Sequence, residues 1–311
     1  MSLVLDVMLA LAVIGVAGWT LLVRGNFPAV IGFVAYGLLL ALVWVRLGAV
    51  DVALTEAALG AGATGVLLLF AVVRLRGGKA EIDAATPSPP QRVAAAILCG
   101  VVGLGLAVAM LNLPDPAPSL AAEATRHLPL LGVGNPITGV LMAYRGLDTL
   151  LEAVVLVFAV LAIWSMAPDR RWGAIPGPLF PVQSSGPLSL LARVLPPIGI
   201  VVGIHIAWVG ADAPGGKFQG GTILAAMGIL AWVAGLWRLP PVASRGLRWA
   251  VVAGPLVFIG VGLLGFVIAD GFLSYPPGFA KPLILLIEAA MTLSVAAAIV
   301  LMVAGPPERP A

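Results

Sequence analysis

Six ionisable side chains stand where an apolar helix should exclude them. Asp51 and Glu56 open one hydrophobic run, and Asp148 and Glu152 open another. His205 and Glu288 lie inside two more. An ionised group at the centre of a membrane span costs ~2.5–3.5 kcal/mol on insertion scales, so such residues persist where they face protein or water. Carboxylates in that setting can exchange a proton or bind a cation, and an imidazole titrates near neutral pH and can relay protons.

Each group also has a structural reading. Asp51 sits at a helix start, where a carboxylate can satisfy free N–H groups and meet the positive dipole end. Glu56 lies about 7.5 Å further along the same helix, and its structural reading is a snorkelling or hydrogen-bonded glutamate. Asp148 and Glu152 are four residues apart and share a helix face, so their like charges repel. A proton or a cation relieves that repulsion. Arg145 precedes Asp148 by three residues and can pair with it. His205 can equally be a neutral packing residue, and Glu288 has only Thr292, one turn on, as a local partner. Asp6 and Asp270 fall near span ends and read as interfacial.

These residues need a hydrophobic scaffold, and the composition supplies one. Of 311 residues, 61% are hydrophobic and only 10% charged, against roughly 25% charged in ordinary soluble domains. Mean hydropathy is +1.10. A soluble enzyme and a disordered chain are excluded, and a net charge of +3 makes no nucleic-acid-binding patch. One cysteine rules out a disulfide framework or a cysteine metal cluster, and two histidines make a histidine metal site improbable. No Ser–His–Asp arrangement, metal-ligand spacing or cofactor fingerprint is present, so neither catalysis nor a bound cofactor is expected of this chain.

The expected fold class is an all-α polytopic membrane protein with about nine transmembrane helices. The apolar runs are 3–23, 27–45, 50–73, 93–113, 147–166, 190–209, 220–237, 249–269 and 282–303. The first lacks a basic leading region and a small-residue cleavage site, so it reads as a retained helix. Nine spans put the two ends on opposite sides. The C-terminal side then holds Arg24, Arg74, Arg76, Lys79, Arg92, Arg170, Arg171, Arg193, Arg238, Arg245, Arg248 and Arg309. The other side holds only Arg46, Arg126, Arg145, Lys217 and Lys281. The bias predicts an outside N-terminus and a cytoplasmic C-terminus, in the cell (inner) membrane.

Two polar, proline-rich connections, 76–92 and 167–187, divide the spans into blocks of three, two and four. The segment 114–135 reads as an outer loop with a short amphipathic stretch. Span three and span five open on similar strings, Gly48-Ala-Val-Asp-Val-Ala-Leu-Thr-Glu-Ala and Gly146-Leu-Asp-Thr-Leu-Leu-Glu-Ala, each with an Asp followed by a Glu. Between spans six and seven, Gly215, Gly216, Gly220 and Gly221 permit a tight or re-entrant turn. That turn lacks the pattern of a phosphate-binding loop. Pro196 and Pro197 predict a bend in span six.

Three stretches resemble one family. Asp51-Val-Ala-Leu-Thr-Glu-Ala-Ala-Leu-Gly-Ala-Gly is similar to the signature of the small three-helix D-type component of Mrp-related membrane-bound hydrogenases, which also begins the C-terminal extension of the Mrp antiporter A subunit. Gly134-Asn-Pro-Ile-Thr-Gly-Val-Leu-Met-Ala-Tyr-Arg-Gly-Leu-Asp-Thr-Leu-Leu-Glu resembles the E-like part of that extension. Ala213-Pro-Gly-Gly-Lys-Phe-Gln-Gly-Gly resembles the P-G-G-G-F-x-G-G turn of the Mrp B subunit, with Lys217 in place of a glycine and Ala211 where a histidine is common.

The resemblance implies a D-like module over 1–91, an E-like module over 92–170 and a B-like module over 171–311. It implies an accessory subunit of a multisubunit cation/proton antiporter. Its partners would be large antiporter-like membrane subunits and small Mrp-type subunits, its ions H+ or Na+. By that resemblance Glu56, Asp148 and Glu152 carry the ion path; Asp51, His205 and Glu288 join them from the residue reading. Two rivals remain. The chain can be a scaffold whose carboxylates only cap and pair helices, or it can serve a redox-driven translocase, joined to a hydrogenase or complex-I-like arm. A stand-alone carrier is disfavoured, because no inverted repeat is evident.

Overall fold

A computed structural model describes residues 2–75, 88–114, 116, 118–181 and 186–309. Arg76, Lys79 and most of the first expected linker lie outside the described residues, as does 182–185 of the second. Among the described residues the chain is nearly all helix. The long helices are α1 (Ser2–Leu22), α2 (Asn26–Arg46), α5 (Pro89–Leu111), α9 (Gly146–Ser165), α10 (Pro187–Val209), α12 (Arg245–Ile268) and α13 (Ala280–Ala304). The third span is composite: α3 (Val50–Thr55), a π-helical segment Glu56–Ala63, and α4 (Thr64–Leu75). Short helices α6 (Ala121–Arg126), α7 (Leu128–Leu131) and α8 (Pro136–Gly139) occupy the expected outer loop, and a second π-helical segment, Val140–Tyr144, leads towards α9.

Eight of these helices are long and apolar enough to cross a membrane. A ninth, α11 (Lys217–Val233), is apolar but only 17 residues long, about 25 Å at the α-helical rise. It replaces the expected run 220–237 and begins earlier in the chain. Gly216 at φ 128° sets its start, and Gly235 at φ 73° follows its end. Pro196 and Pro197 both lie within the continuous α10, and Pro255 within α12.

Contacts between chain-distant residues fix the up-and-down order. Asp6 near the start of α1 pairs with Arg46 at the end of α2, at 2.8 Å. At the opposite end, Arg74 donates to the Ala304 carbonyl at 2.9 Å and lies 3.5 Å from Glu308. There, too, a two-stranded antiparallel ladder joins β1 (Ile175–Pro176) to β2 (Pro307–Arg309). This is a small departure from the all-α expectation. A short non-helical stretch after the last span satisfies its backbone on the preceding connection.

The core sits on α13, whose buried side chains include Ile284, Ile287, Met291, Val295 and Leu301. Helices α9, α11 and α12 surround it. Small residues allow the close approach. A Cβ on Gly220 would stand 2.5 Å from the Gly203 carbonyl and 2.8 Å from Ala207 Cβ, so α10 and α11 touch backbone to backbone. A Cβ on Gly221 would meet Val295 at 2.8 Å. Ser294 accepts from the Gly254 N–H at 2.7 Å and donates to the Ala250 carbonyl at 3.0 Å, pinning α13 to α12. Trp232 stacks on Phe70 and meets Phe180 edge-on, tying α11 to α4. By contrast, α1 and α5 bury almost nothing against the rest of the chain.

Candidate functional site

The three motifs that carry the family resemblance meet at one end of the bundle. Asp51 is the anchor. Its Oδ1 accepts from the Gly215 N–H at 3.1 Å and from Asn135 Nδ2 at 3.3 Å. Asp51 therefore does not cap its own helix; it caps the glycine turn between α10 and α11. Asn135 caps α8 through its Oδ1, which accepts from the Ile137 N–H at 2.9 Å. Its Nδ2 also reaches the Gly210 carbonyl at 3.2 Å and the Ala213 carbonyl at 3.1 Å. Thr138 donates to that same Gly210 carbonyl at 2.6 Å. Gln219 on α11 donates to Thr55 at 2.9 Å. The turn is possible because Gly215 and Gly216 adopt φ of 151° and 128°. A Cβ on Gly215 would strike the Ile206 carbonyl at 2.6 Å.

Beneath this network lies a cavity of 230 Å³. Asp51, Thr55, Glu152, Lys217, Gln219 and Glu288 supply its polar wall. Lys217, the first residue of α11, is only 3% exposed, and Glu288 is 4% exposed. Glu152 is exposed on the chain's outer surface and reaches the cavity from α9. Glu288 is the acidic group whose charge acts most strongly on Lys217, followed by Glu152. Among the described ion pairs within 4.0 Å, none involves Lys217. Its ammonium instead lies 5.3 Å from the centre of the Phe218 ring. Glu288 Oε2 is buried without a hydrogen-bond partner. Thr292, its expected partner, donates to the Glu288 backbone carbonyl at 2.7 Å and not to the carboxylate. Glu288 also borders an apolar cavity of 340 Å³ against Ile204, Ala207 and Trp208 of α10.

The remaining candidates are placed elsewhere. Glu56 opens the π-helical segment, is half-buried, and folds its carboxylate over Gly60 of the same turn. It does not line the cavity. Asp148 forms an exposed ion pair with Arg145 at 2.5 Å, as the structural reading expects. His205 faces outward from α10, away from the cavity. The structure thus brings Asp51, Glu152 and Glu288 together and leaves Glu56, Asp148 and His205 apart. Among the described residues no cluster of His, Cys, Asp or Glu could hold a metal ion.

Lys217, Asn135 and Gln219 are the polar members that sequence reasoning passed over. Lys217 reads as a loop charge until its neighbours are known. The available signal was a cation directly before an apolar run, at the helix end where the dipole disfavours positive charge.

Two groups outside the spans complete this end of the molecule. Lys281 binds both Asp212 oxygens at 2.7 Å. That hydrogen bond holds the Asp212 carboxyl below the usual carboxylate range, helped by the Gly134 N–H and opposed by slight burial. Tyr275 donates to the Met142 carbonyl at 3.0 Å. Burial, with the charge of Glu288 adding to it, pushes its phenol up to about 12.

Comparisons with known proteins fall on the same segments. Residues 11–77 match the MbhD family model, the D component of MBH. Residues 187–306 match "Domain related to MnhB subunit of Na+/H+ antiporter". The chain is a fusion of D-like and B-like modules of the Mrp type. Its fold is similar to that of a chain in the Mrp complex from Dietzia sp. DQ12-45-1b, at a TM-score of 0.75 and 24% identity over 97% of this chain. The fusion spans 35% of that longer chain. A second likeness, to a chain of the membrane-bound sulfane sulfur reductase, an archaeal respiratory membrane complex, has a TM-score of 0.57 and 23% identity. It covers 68% of this chain and 96% of that one. No curated protein matches the chain in sequence.

Proposed function

We propose that this fusion is an accessory membrane subunit of an antiporter-type complex and that its polar cavity is a station on a proton route. One observation carries the reading: a buried lysine and two glutamates share a 230 Å³ cavity, and one carboxylate oxygen there has no fixed partner. A buried carboxylate oxygen without a hydrogen-bond partner is costly as a purely structural element. It is suited to taking up and releasing a proton as the field around it changes. Glu152, exposed on the outer surface of α9, is the exchange point with a neighbouring chain. Lys217 feels the charge of both glutamates and stabilises whichever is ionised.

The middle segment 92–170 acts as the E-like module in this arrangement, since it contributes Asn135 and Glu152. Asp51 has a structural part: with both N–H donors in place it holds the three modules in register. Glu56 and Asp148 lie outside the cavity and are left out of this route. The cavity end is the outer one, from the distribution of Lys and Arg. Large antiporter-like subunits are the partners across the faces of α1, α5 and α9 that this chain leaves uncovered.

The test is proton flux in vesicles carrying the whole complex. Glu152→Gln is expected to lower flux at least tenfold while the assembled complex is recovered in normal amount. Full flux in an assembled Glu152→Gln complex would remove Glu152 from the route and favour the scaffold reading.

A further inference from the structure

We infer that Lys217 is a tethered cation that occupies the cavity and bars Na+ from it, so that the route carries protons only. The inference rests on the proton-route reading above and names its substrate. Lys217 stands where the similar glycine turn has a glycine, and it is the first residue of α11. A cation at a helix N-terminus faces the positive end of the dipole. It is also almost wholly removed from solvent, where an uncompensated ammonium is costly. What offsets both costs is the acidic wall opposite: Glu288 from α13 and Glu152 from α9.

Several oxygens in and beside the rest of the lining are already engaged. Asp51 Oδ1, from α3, already accepts two N–H donors. Asn135 Oδ1 is taken by the Ile137 N–H. Thr55 accepts from Gln219. Glu288 Oε2 has no hydrogen-bond partner, and the charges of Glu288 and Glu152 both act on the ammonium. A Na+ entering the 230 Å³ space would meet a fixed like charge and would have to strip Lys217 of its counter-ions. A proton binds one carboxylate covalently as a neutral O–H, needs no shell of oxygens, and leaves the other glutamate as the counter-ion of Lys217. In this chain, then, one side chain in the glycine turn sets the ion that the route accepts.

The experiment is Na+ titration of the purified whole complex by calorimetry at fixed pH, comparing wild type, Glu288→Gln, Lys217→Gly, Lys217→Arg and Lys217→Gly with Glu288→Gln. Lys217→Gly restores the glycine of the similar turn and should keep the fold; Lys217→Arg keeps the charge. The expected result is a Na+ site in Lys217→Gly, with affinity at least roughly tenfold above wild type. That site is lost when Glu288→Gln is added and is absent in Lys217→Arg. The inference is overturned if wild type binds Na+ in a manner that Glu288→Gln abolishes. It is also overturned if an assembled Lys217→Gly complex gains no site. Loss of the proton route shows separately, as undiminished flux in Glu152→Gln with the Na+ gain in Lys217→Gly intact.

Discussion

At the scale of single residues, the cavity separates groups that hold the fold from groups left free to react. Asp51 Oδ1, the Asn135 amide and the Thr138 hydroxyl are held by hydrogen bonds; Glu288 Oε2 is not. Asp212 belongs to the first kind, and its behaviour with pH follows from the sign of its shift. Its folded value lies below the ordinary carboxylate value of about 3.9. The stabilisation from Lys281 is therefore complete above that value and lost as pH falls through the folded one. Amide exchange at Gly134 and across 210–213 should rise below about pH 4, and Asp212→Asn should show that raised exchange already at neutral pH. The effect will be modest and salt-sensitive, because the pair is exposed. Equal exchange in the two proteins at neutral pH would contradict this. The carboxylates were legible in the sequence because hydrocarbon penalises them wherever they occur. Lys217 was not, since a lysine beside a glycine turn looks solvated until α13 and α9 are folded against it.

At the scale of elements, apolar run length gave eight spans with small boundary errors. The ninth lies three to four residues before its expected run, with its ends set by turns at Gly216 and Gly235. The π-helical segments left no trace in the sequence, because one extra residue in a turn does not disturb an all-apolar pattern. Glycine placement was legible only as permission for a turn. The structure adds that Gly220 is where α10 and α11 touch. Gly220→Val would drive a branched side chain into the Gly203 carbonyl and cost about 1–3 kcal/mol or more. The amount of assembled complex in membranes should fall several-fold, as measured by native gel electrophoresis. Normal assembly of Gly220→Val would show that the two helices can separate without consequence.

At the scale of the whole molecule, linkers and motifs divide the chain into three expected modules, and the family matches fall within the first and last of them. What no linear reading could supply is that the three motifs, from residues as distant as Asp51 and Gly215, close over one cavity. That closure decides which of the six candidates can act together. The uncovered apolar faces of α1 and α5 are left for lipid or for other chains to cover. Infrared difference spectroscopy on the assembled complex, stepped in pH, reads proton uptake by its carboxyl groups directly. The account predicts a carboxyl band in wild type and in His205→Gln that disappears in Glu288→Gln. Identical spectra for wild type and Glu288→Gln would contradict it.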